Sequence, residues 1–125
     1  MDENQVILQI PSDRILKEAD EKKLIEAVIS EFKSSGITDV KVDELYYMEE
    51  LSETGLSTVV LVLSVIGHII NILKAVRDFL KSRKHNEILL ETPTMKLKIN
   101  GTMSDDTLVK LVQEARKTIE NKKKK

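Results

Sequence analysis

The sequence predicts an α+β fold: a four-stranded mixed sheet covered by helices, in the order β-α-β-α-β-β-α, with a long apolar helix at its centre. Three observations lead there. Short alternating segments end at Pro, Gly or Asn; apolar stripes at helical spacing run through residues 24–32 and 108–119; and Thr54 to Leu73 carries no charge over twenty positions in a chain that is 33% charged. No repeat and no Pro/Gly/Ser-rich linker divides the chain, so residues 1–120 read as one domain and 121–125 as a basic disordered tail.

The first strand is Gln5 to Ile10, β-branched and ended by Pro11 and Ser12, with Val6, Leu8 and Ile10 on one face. From Asp20 the stripe Leu24, Ile25, Val28, Ile29 and Phe32 describes one face of a helix, stopped by Ser34, Ser35 and Gly36. Asp39 to Met48 reads as a second strand, with Val40 and Val42 on one side and a break at Asp43 and Glu44 that suggests a bulge.

The uncharged run then continues into KAVRDFLKSRK, where Leu73, Val76, Phe79 and Leu80 keep the helical period. Together they imply one helix of about 27 residues. The opening TVVLVLSVI is rich in β-branched residues, and a strand there is the competing reading. Glu87 to Glu91 and Met95 to Ile99 form a hairpin around Thr92, Pro93 and Thr94, with Met95, Leu97 and Ile99 alternating against Lys96 and Lys98. Asn100 and Gly101 end it. Ser104 is placed to cap the last helix, Asp105 and Asp106 favour its first turn, and Leu108, Leu111, Val112, Ala115 and Ile119 form its buried stripe.

Twenty helical residues span about 30 Å, the thickness of a bilayer core. A membrane anchor at 54–73 is therefore an alternative, but His68 and Asn71 lie within the run, and insertion would place the flanking strands on opposite sides of the membrane. Burial against the sheet, other helices or another subunit is the expected fate. Because Val59, Val60, Leu61, Val62, Leu63, Val65 and Ile66 would fill every face of such a helix, part of it is expected to meet a partner.

The absence of cysteine excludes disulfides, thiolate metal sites and a cysteine nucleophile, and fits a reducing, cytoplasmic setting. His68 and His85 are the only histidines and neither has a triad around it; His68 reads as a core residue bonded to a backbone carbonyl. The four glycines are isolated, which leaves no phosphate-binding loop. No catalytic residue, cofactor or metal is expected. Net charge is −1, yet residues 1–53 carry 14 acids and 6 bases, whereas 74–125 carry 7 acids and 14 bases. That polarity suits association between oppositely charged surfaces, within one fold or between copies.

Lys74, Arg77, Lys81 and Lys84 recur along one helical face. Such a stripe can be solvated, can dock an acidic partner, or can hold nucleic acid or another anionic ligand. With two Phe and two Tyr in a slightly acidic chain, nucleic acid is the least supported of these. The expected docking residues are Val59, Leu63, Ile66, Ile70 and Phe79 with Lys74, Arg77, Lys81 and Lys84, serving a homo- or hetero-oligomer.

The succession GLSTVVLVLSVIGHIINILKAVRDFLKSRK, EILLETPTMKLKI and NGTMSDDTLVKLVQEARK resembles the effector-associated constant component family of bacterial conflict systems over residues 55–119. An apolar helix ending in leucine and a basic cluster, then a hairpin and a short helix, is that family's pattern. Phe79 stands in the neighbourhood where many such sequences carry tryptophan. The resemblance implies a non-enzymatic adaptor that couples a sensor to an effector, such as a protease, in defence against phage.

Overall fold

The computed structural model describes residues 4–12, 16–48, 57–82 and 87–123. Its elements are β1 (Gln5–Ser12), α1 (Glu18–Ser34), β2 (Asp39–Met48), β3 (Ser57–Ile66), α2 (Ile69–Ser82), β4 (Ile88–Glu91), β5 (Lys96–Ile99) and α3 (Asp105–Lys123). The class is α+β, but the sheet has five strands in the order β2-β3-β1-β4-β5. Every neighbouring pair is antiparallel, so it is not mixed.

The additional strand comes from the uncharged run, and it replaces the long central helix. Residues 57–66 are β3, Gly67 and His68 form the junction, and α2 begins only at Ile69. Thr58, Val59, Val60, Val62, Val65 and Ile66 are β-branched, stiff at χ1 and better suited to a pleated strand than to successive helical turns. Strand β3 lies between β1 and β2, with Val59, Leu61, Leu63 and Val65 in the core and Val60 and Val62 on the other face, so the run is apolar on both. Among the described residues no helix is long and apolar enough to cross a membrane. The alternative of an anchor at 54–73 therefore loses its helical span.

Register explains the core. Val6, Leu8 and Ile10 of β1 stand opposite Leu63, Leu61 and Val59 of β3. Leu8 also faces Leu90, and Leu90 faces Leu97. On β2 a bulge between Val42 and Glu44 shifts the pairing, so that Val42 opposes Leu63 and Leu45 opposes Leu61. Without that extra residue, Leu45 and Tyr47 would turn to the opposite face. Onto this one face pack Leu24, Val28 and Phe32 of α1, Leu73, Val76, Phe79 and Leu80 of α2, and Leu108 and Val112 of α3. Burying side chains of this size contributes about 1.5–3 kcal/mol each, which makes the interface between sheet and helices the main source of stability.

Local signals set the helix ends. Gly36 has φ +89°, a left-handed geometry that glycine adopts at little cost, and Ile37 N–H donates back to the Phe32 carbonyl at 3.0 Å to close α1. At Gly67 a Cβ would come within 3.1 Å of Ile37 Cγ1, so a bare backbone lets the junction sit against the start of the β2 segment. Ser104 Oγ accepts from Thr107 N–H at 3.1 Å and caps α3, as the sequence predicts. Helix α3 extends to Lys123, past the domain end expected at residue 120.

Candidate interaction surface

Since all three helices pack on one side of the sheet, alternate residues of the strands form a second face on which no described helix lies. Its rows follow from the pairing. One row reads Glu44, Val62, Ile7, Glu91, Lys96; the next reads Tyr46, Val60, Gln9, Leu89, Lys98. Ile7, Val62 and Leu89 are half-buried, Val60 is buried between its in-register neighbours, and Tyr46 is 39% exposed. Ser64 Oγ donates to the Asp43 carboxylate on this face, and Lys41 Nζ lies 3.6 Å from the same group. The bulge thus turns Asp43 towards the side that Glu44 already faces. Among the described residues no strand pairs with the outer edge of β2.

The expected docking residues separate in the structure. Val59, Leu63 and Phe79 are core side chains, so their apolar surface is satisfied within one chain. Ile70 is half-buried against the core. Ile66, at the end of β3, is 59% exposed. Val62 belongs to the run expected to meet a partner, whereas Ile7, Tyr46 and Leu89 carry no such expectation. The alternation in QVILQI was the available signal, because a strand that buries Val6, Leu8 and Ile10 must turn Ile7 the other way.

The basic stripe on α2 is largely committed to the fold. Arg77, 8% exposed, reaches the Asp105 carboxylate, donates from Nε to Asp78 Oδ1 at 3.1 Å, and donates from Nη1 to the Met103 carbonyl at 3.3 Å. Lys74 Nζ lies 3.7 Å from Asp105 Oδ2. Burial alone would lower the Arg77 pKa, but the bonds to Asp105 and Asp78 outweigh it and raise the value. Asp105 is shifted down, first by its hydrogen bond from Arg77 and further by the charges of Arg77 and Lys74. Lys81 is exposed, and Lys84 lies outside the described residues.

His68 is not in the core. It is exposed, and its Nδ1 accepts from Ile70 N–H at 3.2 Å, an imidazole acting as the cap of α2. Beside it lies a cleft of about 300 Å³ between the end of the sheet, the start of α2 and the β4–β5 turn. Val6, Val65 and Ile72 form its apolar floor, and Asn4, Thr92 and Thr94 its polar rim, and among the described residues no charged side chain lines it. Such a cleft has room for one small group. Tyr47 Oη accepts from Leu16 N–H at 3.1 Å, while burial, reinforced by Glu21, pushes the phenol pKa up. No three His, Asp or Glu side chains among the described residues come together in a way that could hold a metal ion.

Comparison of the chain with models of known protein families, with curated proteins and with solved structures returned no significant match.

Proposed function

We propose that this protein is a non-enzymatic, cytoplasmic adaptor that couples a sensor to an effector, of the protease class, in a bacterial defence system, and that it docks through the open face of its sheet. The observation that carries the reading is that face itself. It combines half-buried Ile7, Val62 and Leu89 with exposed Tyr46, is rimmed by charge, and adjoins a ten-residue edge strand with no described strand beyond it. Contiguous apolar surface inside a polar rim, next to unpaired backbone donors and acceptors, is a common design for protein recognition.

The partner's identity rests on the resemblance of residues 55–119 to the effector-associated family. In this chain the segment that the family pattern reads as helix contributes β3, which brings its apolar residues into the sheet instead of onto an exposed rod. The competing anionic-ligand reading keeps Lys81, whereas Arg77 and Lys74 are engaged with Asp105. Co-purification of the tagged chain with the products of neighbouring genes tests the proposal. A sensor or effector should be retained by the natural chain and released by Val62→Lys; failure to retain any of them would overturn the adaptor reading.

A further inference from the structure

The open face is self-complementary, and we infer that its occupant is a second copy of this chain, stacked sheet to sheet about a two-fold axis parallel to the strands. The inference rests on the reading of that face as a docking surface and names its partner. An axis of this kind over β1, the middle strand, keeps each residue at its own height and exchanges left for right. Strand β2 of one copy then lies over β5 of the other, and β3 over β4.

The rows match under that operation. In the first, Glu44 meets Lys96 of the second copy and Ile7 meets Ile7. In the next, Tyr46 meets Lys98 and Gln9 meets Gln9, so an ammonium lies near a phenol ring and the amides bond to each other, while Leu89 lies over Val60, which is already buried within its own chain. Glu91 faces Val62 across the interface and stays with Lys96, its in-register neighbour within its own chain. The offset of about 30° normal for stacked sheets shifts the outer strands by roughly a residue, which long lysine side chains can follow.

Charge favours this occupant. The open side of β2 carries Asp39, Asp43 and Glu44 against Lys41. The opposite edge, β5, carries Lys96 and Lys98, with Glu87 4.0 Å from Lys98. Thus the sheet order sets the acidic half of the sequence at one edge and the basic half at the other. Strand spacings of about 4.8 Å and rises of about 3.3 Å, with only four-residue β4 and β5 overlapping β3 and β2, give roughly 400 Å² per copy, about 800 Å² in all, the size of a weak, transient contact. A dimer weak enough to dissociate on dilution and in salt follows.

Sedimentation velocity of the purified chain alone, from about 1 to 500 µM at about 50 mM and 500 mM salt, tests it, with circular dichroism confirming that each variant is folded. The natural chain should dimerise at low salt and dissociate at least tenfold more readily at high salt. Glu44→Lys and Lys96→Glu should each weaken the dimer about tenfold or more, and the double exchange should restore it. These residues stand four strand spacings apart in one chain, about 19 Å, too far for the rescue to be intramolecular. A chain monomeric across the whole range, or single variants that weaken the dimer without rescue by the pair, would overturn the inference. Retention of a sensor or effector by a strictly monomeric chain would do the same while leaving the adaptor reading intact.

Discussion

Arg77 of α2 and Asp105 of α3 join side chain to side chain across 28 residues of sequence, and the same guanidinium holds the Met103 carbonyl immediately before α3. A nearly buried cation thereby fixes how the last helix meets the rest of the fold. Arg77→Ala would leave a buried carbonyl with one donor fewer and Asp105 without its main partner. Hydrogen bonds involving charged groups contribute about 1.5–3 kcal/mol, and a loss of about 2–3 kcal/mol in urea unfolding is expected. Lys81→Ala, removing an exposed cation from the same stripe, should cost less than about 0.5 kcal/mol.

The same pair sets a pH dependence. In the folded chain Asp105 titrates below its unfolded value, so the folded state favours the carboxylate. Its stabilisation is complete above the unfolded aspartate range, near pH 4, and disappears as pH falls through the lower folded value. Unfolding midpoints measured between about pH 7 and pH 2.5 should fall more steeply for the natural chain than for Asp105→Asn, which is already weaker at pH 7. Parallel curves would exclude Asp105 as a contributor.

Two helix starts use different caps, a hydroxyl at α3 and an imidazole at α2. Ser104→Ala removes the acceptor for Thr107 N–H and should cost about 1 kcal/mol at any neutral or acidic pH. His68→Ala removes the acceptor for Ile70 N–H at the start of α2 and should also destabilise the chain, by about 1 kcal/mol or less because the site is exposed. Thermal denaturation of the two variants and the natural chain at neutral pH measures both losses.

Much of this fold is legible from local pattern. Leu24, Val28 and Phe32 lie on the buried stripe expected of α1; the break at Asp43 and Glu44 is a bulge; Ser104 is a cap; and Leu97 and Ile99 alternate against Lys96 and Lys98 as expected. The run from Thr58 to Ile66 misleads because an interior strand with apolar residues on both faces loses its period-two signature, and it joins directly to a helix that has a clear one. Burial of Arg77 is equally hidden. Its spacing with Lys74 and Lys81 describes a helical face, yet which face meets α3 depends on where the hairpin sends the chain. The open surface is legible only afterwards, since Ile7, Val62 and Leu89 become neighbours through antiparallel register and not through sequence.

Adjacent positions in β3 offer the sharpest test of the strand. Leu61 is fully buried opposite Leu8 and Leu45, whereas Val62 faces the other side opposite Ile7 and Glu44. Leu61→Ala should cost about 2–5 kcal/mol through lost burial and a residual cavity. Val62→Ala removes less from a half-buried site and should cost about 1 kcal/mol or less; Val62→Lys can send its ammonium to solvent and stay folded, as Leu61→Lys cannot. From Leu61 onward the discrimination should repeat with period two, so that Leu63 and Val65 behave like Leu61 and Ser64 like Val62, while Val59 and Val60 are both buried and both sensitive. A helix through the same residues would produce a period of 3.6, with Leu61 and Val65 sensitive and Leu63 tolerant. Chemical denaturation of the alanine series from residue 59 to residue 65 distinguishes them, and a helical period would remove β3 together with the open face that depends on it.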